Sequence, residues 1–158
     1  MSEQFKIRRI LRSDYGDWRR LWDGYNAFYG RSGPTALPEQ ITQETWERFF
    51  NPSEPVHALV AEESGRVIGL GHYIFHRSTT RLHDVCYLQD LFTAEELRGR
   101  GVGRRLIEAV YEAARDAGGS RVYWQTKATN RAGRALYDKM AQHDGFIVYA
   151  QELVLTQR

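Results

Sequence analysis

The stretch Arg98-Gly99-Arg100-Gly101-Val102-Gly103 lies between a run rich in apolar residues and a strongly amphipathic segment. Three glycines in six positions remove β-carbons from a turn that opens a helix, so backbone N–H groups can converge on an anion, and the helix dipole adds partial positive charge. The pattern predicts a diphosphate site. It is not a P-loop, because no Gly-Lys-Ser/Thr follows, and it lacks the Gly-x-Gly-x-x-Gly register of a dinucleotide fingerprint.

Two other interpretations of this stretch fit the residues alone. The glycines could serve only to make a tight strand-to-helix loop whose arginines face solvent. An Arg-Gly tract could also bind RNA, but a single copy between a strand and an amphipathic helix is not a disordered repeat.

The segments on either side of this loop predict a strand, a helix and a second strand. Residues 85–93 read as the strand, residues 102–117 as a helix and residues 121–126 as a short strand after Gly118-Gly119. The crossover between the two strands should be parallel and right-handed. A ligand would then sit where the carboxyl ends of the strands meet the helix amino terminus.

The remaining segments predict a mixed α/β (α+β) sheet flanked by about four helices, mostly antiparallel with one parallel strand pair. In the first helix the apolar positions recur at three and four, as Trp18, Leu21, Trp22, Tyr25 and Phe28. In the second we expect Ile41, Thr45 or Trp46, and Phe49 on the inner side. The buried stripe of the helix at 102–117 should be Val102, Leu106, Ala109 or Val110, Ala113 and Ala117. The expected strands are 5–11, 56–62, 67–76 and a closing strand around 146–155, and the expected helices are 14–30, 39–50 and 130–140.

Length and composition limit the classes of protein that this chain can be. With 158 residues it has the size of a single domain, 1–158, and 42% hydrophobic with 27% charged residues argues against long disorder or a coiled coil. A net charge of +2 is too small for a dedicated nucleic-acid binder, and no run of about 20 apolar residues predicts a membrane span. The polar start and the single cysteine, Cys86, predict a cytoplasmic protein.

The glycine-rich stretch resembles the Arg/Gln-x-x-Gly-x-Gly/Ala signature of the GNAT superfamily of acetyl-CoA-dependent N-acetyltransferases. The resemblance extends over almost the whole chain: residues 87–93, Tyr-Leu-Gln-Asp-Leu-Phe-Thr, are similar to the family's fourth strand, and Asn130 with the segment around Tyr137 is similar to its fourth helix. The spacing Asn130 to Tyr137 is shared in particular with polyamine and thialysine N-acetyltransferases and the yeast histone/polyamine acetyltransferases.

The resemblance implies how acetyl-CoA would bind. The fourth strand would splay from the fifth at a bulge, and the pantetheine arm would pair with the backbone of Leu91 and Thr93 as an additional strand. It further implies that Arg98 contacts phosphate or structures the loop and that backbone amides from Arg100 to Arg104 hold the diphosphate. The implied cofactor contacts are Leu91, Phe92, Thr93, Arg98, Gly99, Arg100, Gly101, Val102, Gly103, Arg104, Asn130 and Tyr137.

The resemblance also implies catalytic roles. A backbone N–H near Leu91 would polarise the thioester oxygen, and Tyr137 would protonate the departing thiolate. Where the polyamine enzymes have Tyr-Leu-Glu-Asp, this chain has Gln89 before Asp90, and a glutamine cannot act as a base. The proton acceptor would then be Asp90, a histidine such as His72 or His83, or bulk water; Asp90 could instead bind a cationic acceptor.

No metal is expected, because His72 and His76 share a strand face without a further ligand. Cys86 is expected in the core, and no His/Asp pattern around it suggests a covalent acetyl-enzyme, so the acetyl group should pass directly in a ternary complex. Acceptor specificity should come from the first two helices, whose candidates combine aromatic and acidic character. These candidates are Trp18, Trp22, Tyr25, Tyr29, Glu39 and Trp46.

The leading hypothesis is an N-acetyltransferase for a primary amine of a polyamine-like molecule, an amino acid derivative or a basic protein tail. The alternative is a CoA-binding sensor or regulatory module of the same fold without chemistry, which Gln89 favours. We expect a small-molecule or peptide acceptor, no nucleic acid and no membrane as partners, and, by resemblance, a homodimer.

Overall fold

The computed structural model describes residues 4–155. Chain contacts divide after Gln125, so the residues before and after this point are described separately. The strands are β1 (Lys6–Arg9), β2 (Val56–Glu63), β3 (Arg66–His76), β4 (Val85–Thr93) and β5 (Val122–Tyr123). The helices are α1 (Tyr15–Phe28), α2 (Glu39–Arg48), α3 (Val102–Asp116) and α4 (Arg131–Met140).

The five strands form one mixed sheet in the order β1-β2-β3-β4-β5. Neighbours pair antiparallel from β1 to β4, whereas β4 and β5 pair parallel. The strand, helix, strand crossover through α3 accounts for the parallel pair. The predicted mixed sheet with one parallel pair is therefore confirmed.

The two faces of the sheet carry different helices, as alternation along β3 shows. A β-carbon at Gly69 or Gly71 would meet Leu106 of α3, so this face lies against α3. Leu70 lies on the opposite face, in the aromatic core that Trp18 of α1 shares. Because side chains alternate along a strand, His72 follows Leu70 to the α1 face.

The helices bury the faces that their sequence period predicts, with small shifts. In α1 the predicted Trp18, Leu21, Trp22 and Tyr25 are buried, whereas Phe28 is 57% exposed. In α2 the prediction was off by one residue at its start, because Thr42 is buried and Ile41 is exposed. A hydrogen bond from the Trp22 indole to the Thr42 hydroxyl explains the shift, since it brings that position inward.

The buried stripe of α3 departs from the prediction in a similar way. The predicted Val102, Leu106 and Val110 are buried, but Ala117 is exposed and lies beyond the helix. Ile107 and Ala114 are buried beside them. A stripe of a helix that packs on a sheet is broad enough to take both neighbours.

Two strand predictions at the carboxyl end were wrong. Strand β5 has two residues rather than six, because its ladder with β4 ends at Tyr123. No strand forms around 146–155, where the apolar side chains, Phe146 and Val154 among them, are exposed. Apolar alternation makes a strand only where a partner offers backbone hydrogen bonds, and no described residue pairs with this segment.

Residues 126–155 contain α4, whose start is fixed by a side-chain cap. The Asn130 Oδ1 atom accepts a hydrogen bond from the Gly133 N–H at 3.2 Å, and Asn130 Nδ2 donates to the Thr126 hydroxyl at 2.9 Å. A β-carbon at Gly133 would collide with the Asn130 side chain. Among the residues described, no helix is long and apolar enough to cross a membrane.

Candidate active site

The glycine-rich loop is folded as an open turn at the amino end of α3. Gly99 and Gly101 have φ of 82° and 85°, a backbone conformation that side chains disfavour, and a β-carbon on either would meet nothing within 4 Å. Gly101 caps α3 without a side chain, and the first helical bond runs from Arg105 N to Gly101 O. The amides of the first turn therefore have no helical acceptor.

The arginine side chains of this loop bind protein groups and brace the turn. Arg100 donates to both Glu63 carboxylate oxygens and to the Gln4 side chain. Arg98 Nε donates to the Thr93 carbonyl at 3.2 Å, which fits a role in structuring the loop, while its predicted contact with phosphate stays a prediction. The loop also offers an anion the backbone amides at the start of α3.

Strand β4 has an irregularity and an open edge in the same place. Its register with β3 pairs Leu88 with Tyr73 and Asp90 with His72, so Gln89 is an extra, bulged residue. On the other side β5 pairs only with Cys86 and Tyr87. Beyond Tyr87, β4 has no ladder partner on this side among the described residues, as the predicted splayed pair requires.

The backbone direction along β4 follows from one hydrogen bond. Ala94 N donates to Ile68 O on β3 at 2.9 Å. Because backbone groups alternate in direction along a strand, Phe92 also faces β3, while the N–H groups of Leu91 and Thr93 face the open edge. These are the two residues that sequence analysis predicted to pair with pantetheine.

Asp90 lies beside the bulge in a buried hydrogen-bonded chain. Its Oδ2 atom is 2.9 Å from His72 Nδ1, and the Trp18 indole N–H donates to His72 Nε2 at 3.0 Å. Trp18 is fully buried, His72 is 2% exposed and Asp90 8% exposed. Asp90 is thus the most exposed member of this chain.

The chain excludes one of the candidate bases. An indole N–H can only donate, so His72 Nε2 must be an acceptor, and its lone pair is used. His83 is exposed and precedes Asp90 by seven residues of nearly extended chain, roughly 20 Å. Neither histidine stands ready to take a proton at the bulge.

Tyr25 adjoins the same carboxylate. Its hydroxyl lies 3.4 Å from the Gln89 carbonyl oxygen. Burial, then the charge of Asp90 and a hydrogen bond to it, raise the pKa of Tyr25 well above its ordinary value. Tyr25 therefore stays a neutral donor beside Asp90.

Cys86 is a core residue, as the sequence indicated. Its side chain is fully buried on β4, and burial raises the pKa of its thiol to about 12. At neutral pH the group is a thiol rather than a nucleophilic thiolate.

No three His, Cys, Asp or Glu side chains of residues 4–155 cluster as metal ligands would.

The predicted acceptor aromatics are mostly structural. Trp18, Trp22, Tyr25 and Trp46 are buried in the core between the helices and the sheet. Tyr29 is only partly buried and packs on Tyr25 with ring centroids 5.0 Å apart. A sixth candidate, Glu39, is tied to Arg19 in an exposed ion pair.

Two predicted site residues lie in the second part of the chain. Asn130 caps α4, and Tyr137 lies seven residues later in the same helix with a partly exposed side chain.

Comparison with known proteins gives the family. The model of the acetyltransferase (GNAT) family matches residues 18–141, which is most of the chain. This chain belongs to the GNAT family. It is therefore an acetyl-CoA-dependent N-acetyltransferase, which favours the enzyme over the sensor module.

Named relatives within the GNAT family agree with the branch suggested by the motifs. The chain is 32% identical over 151 residues to the D-amino-acid N-acetyltransferase HPA3 of Saccharomyces cerevisiae, covering 94% of this chain and 91% of the relative. It is 32% identical to the thialysine N-epsilon-acetyltransferase of Bos taurus, covering 87% and 84%.

Solved structures share the GNAT fold. One is AAC(6')-Iy in complex with the bisubstrate analog CoA-S-monomethyl-acetylneamine, with a TM-score of 0.78, 16% identity and coverage of 96% and 100%. Another is an aminoglycoside acetyltransferase from an uncultured soil metagenomic sample in complex with sisomicin, with a TM-score of 0.77, 16% identity and coverage of 95% and 97%.

The hydrogen bonds that join Trp18, His72 and Asp90 were not predicted from the sequence. His72 was predicted on a strand and as a possible base. In the structure His72 lies opposite Asp90 in the β3–β4 ladder. The residues alone do not locate the bulge at Gln89, and a ladder drawn without the bulge pairs the residues beyond it one position out of register.

Proposed function

We propose that this enzyme transfers the acetyl group of acetyl-CoA directly to a primary amine of a polyamine-like molecule or an amino acid derivative that carries a second cationic group. A basic protein tail is the larger form of the same acceptor. The thialysine and D-amino-acid enzymes among its relatives support amino acid derivatives, and the anionic Asp90 at the bulge supports a cationic acceptor.

The loop and the open strand edge fit acetyl-CoA. The amides of Val102, Gly103 and Arg104 lack helical acceptors and suit the diphosphate. The Leu91 carbonyl and the Thr93 N–H face the open edge and suit an extended amide-bearing arm, since the Thr93 carbonyl already accepts from Arg98. Cβ atoms on Gly99 and Gly101 would point into open space, where the diphosphate would lie. Acetyl-CoA, when bound, supplies an acetyl group activated as a thioester.

Leu91 would provide the electrophilic assistance. Its N–H faces the open edge one residue from Asp90, and a backbone donor in this position suits an oxygen that gains negative charge. A backbone donor needs no reorganisation during the reaction, because the strand holds it.

Tyr137 would donate to the departing sulfur. With an unperturbed pKa of about 10 for tyrosine and about 8.5 for a thiol like cysteine, full proton transfer is uphill by roughly 2 kcal/mol. A hydrogen bond from the phenol to the developing thiolate is therefore the larger part of its contribution.

Asp90 serves better as a binding group than as a base. A fixed anion beside the reacting amine would favour its protonated form, which cannot attack. We therefore assign Asp90 to a second ammonium group of the acceptor.

The amine that attacks is then the fraction that is already unprotonated in solution, and the proton it sheds after attack passes to solvent. His72 Nε2 cannot accept the proton, because its lone pair accepts a hydrogen bond from the Trp18 indole. Gln89 has no basic oxygen comparable to a carboxylate. Cys86, with a thiol pKa of about 12, does not compete as an acetyl carrier. The amine nitrogen attacks the acetyl carbon, the carbon–sulfur bond breaks and the sulfur keeps the electron pair.

One observation carries this proposal: a buried, hydrogen-bonded carboxylate adjoins the open, bulged edge of β4. The test measures release of free CoA with spermidine, thialysine, D-lysine and propylamine as acceptors. We expect turnover of acceptors with two cationic groups and poor turnover of propylamine.

The Asp90→Asn variant should raise KM for these acceptors about tenfold or more, and leave KM for acetyl-CoA unchanged. Asp84→Asn is the matched control, because Asp84 precedes the same strand and pairs with Arg77 instead. Equal turnover of propylamine and spermidine, or an unchanged acceptor KM in Asp90→Asn, would refute the assignment. A homodimer and a cytoplasmic location stay predictions.

A further inference from the structure

We infer that Trp18 and His72 are positioning residues that hold the Asp90 carboxylate toward the acceptor and leave its charge uncompensated by His72. The inference rests on the proposed role of Asp90. Its structural basis is the chain from the Trp18 indole through both nitrogens of His72 to Asp90 Oδ2.

The protons in this chain have only one arrangement. Since the Trp18 indole donates and never accepts, His72 Nε2 carries no proton. A neutral imidazole has one N–H, so that proton must be on Nδ1, and Nδ1–H donates to Asp90 Oδ2. Asp90 consequently accepts with Oδ2, and a proton on this oxygen has no place.

The elements hold each member in position. His72 and Asp90 are directly opposite in the β3–β4 register, next to the bulge. The His72 ring is packed by Trp22 of α1 and by Phe49, with ring centroids 5.2 Å and 4.7 Å away. A 180° flip of the imidazole would replace both bonded nitrogens by carbons, so packing and hydrogen bonding favour the same orientation.

The consequence concerns the charge that an acceptor meets. If Nε2 lost its indole donor, the imidazole could take a second proton from solvent and form an ion pair with Asp90. The pair would be close to neutral, and a cationic acceptor would lose most of its attraction to Asp90. Trp18 donates a hydrogen bond to His72 Nε2 and so prevents a second proton from binding there. The negative charge of Asp90 thus remains available to a cationic acceptor.

A purely structural role for this chain is the competing explanation, and the protein contains a matched comparison. Trp22, one turn later in α1, stacks parallel to Trp18 at 5.9 Å. Its indole donates to the Thr42 hydroxyl at 3.2 Å. Trp18→Phe and Trp22→Phe each remove one buried indole hydrogen bond and keep an aromatic ring beside His72, but only the first removes a hydrogen bond of the chain to Asp90.

The first measurement needs no acceptor. Nitrogen NMR of His72 in the free wild-type protein at neutral pH should show a neutral ring with the proton on Nδ1. The same spectrum should persist in Trp22→Phe, and in Trp18→Phe it should change to imidazolium or to mixed tautomers. A wild-type ring protonated on Nε2, or an unchanged ring in Trp18→Phe, overturns the inference whether or not the proposed function is correct.

The second measurement is the kinetic split with spermidine as the probe. Trp18→Phe and His72→Leu should raise KM for spermidine about tenfold, with KM for acetyl-CoA unchanged. His72→Gln should recover most of the affinity, because its amide can both accept from Trp18 and donate to Asp90. Equal KM changes in Trp18→Phe and Trp22→Phe would mean a structural role and would overturn the inference.

The two failures are distinguishable. If spermidine is not acetylated at all while the NMR result holds, the proposed acceptor class is wrong. If spermidine is acetylated and Asp90→Asn weakens its binding, but Trp18→Phe and His72→Leu do not, then the positioning role alone is wrong.

Discussion

Residue chemistry at this site depends on which lone pairs and protons the fold leaves available. His72 looks like a base in the sequence, yet its Nε2 atom accepts from Trp18. Cys86 looks like a possible nucleophile, yet burial raises the pKa of its thiol to about 12. Asp90, by contrast, is 8% exposed. The fold therefore selects among chemically similar candidates by burial and hydrogen bonding.

Tyr137→Phe tests the proposed donor to the sulfur. Removing the phenol should lower kcat by roughly 100-fold, because the departing thiolate loses its hydrogen bond, and it should leave acetyl-CoA binding nearly unchanged. Steady-state kinetics and calorimetric titration with CoA measure the two effects. An equal loss of binding and rate would show a structural role for this tyrosine.

Element geometry explains why the loop before α3 tolerates only glycine at its turns. Gly99 and Gly101 have positive φ, while the neighbouring Arg100 is held by Glu63 at the end of β2. This ion pair links the loop to the sheet, so the strand edge and the first turn of α3 keep a fixed relation.

Gly101→Trp should abolish acetyl-CoA binding, because an indole would occupy the open space in front of the helix amides. Gly65→Trp is the matched control: Gly65 also has positive φ, 78°, with nothing within 4 Å of an added β-carbon, but it lies in the β2–β3 turn. Calorimetry should detect binding in the control only. Similar binding in both variants would contradict the cofactor site.

The junction between β1 and α1 depends on one carboxylate. Arg8 donates to both oxygens of Asp14 at 2.8 and 2.9 Å, and Leu11 N donates to Oδ2 at 2.7 Å. The Arg8 hydrogen bonds hold the pKa of Asp14 below its ordinary value, against the effect of burial. The stabilisation is thus present above about pH 4 and is lost as the pH falls further.

Asp14→Asn should cost about 1–2 kcal/mol of unfolding free energy at neutral pH and much less in acid. Urea unfolding at both pH values measures the difference. Asp23→Asn, which removes one partner of an exposed ion pair with Arg19, should change stability by under about 1 kcal/mol at either pH. A pH-independent loss in Asp14→Asn would refute the linkage.

At the scale of the whole molecule, the sequence predicted the elements and their order better than their partners. Glycines in a helix-opening turn, together with period-two and period-3.6 patterns, were enough to predict β4, α3 and the parallel pair. They could not predict the bulge at Gln89, since one extra residue in a ladder leaves no compositional signal. The closing strand was mispredicted for a related reason, because pairing depends on a partner outside the segment.

The site residues also divide into those that the sequence indicated and those that it did not. The resemblance to the GNAT family implied the backbone contributions of Leu91 and Thr93, which stay predictions. The β3–β4 ladder turns the N–H groups of both residues toward the open edge of β4. The roles of Trp18 and His72 depend on a contact between residues 54 positions apart, which no local pattern encodes.

The proposed activity depends on acetyl-CoA binding at the open edge of β4 and at the backbone amides of the first turn of α3. Titrating acetyl-CoA into labelled protein while following backbone amide NMR signals tests it directly. We predict the largest shifts at Leu91, Thr93, Val102, Gly103 and Arg104, with the turn amide of Gly65 unmoved. Shifts concentrated elsewhere, with these five signals unchanged at saturation, would contradict it.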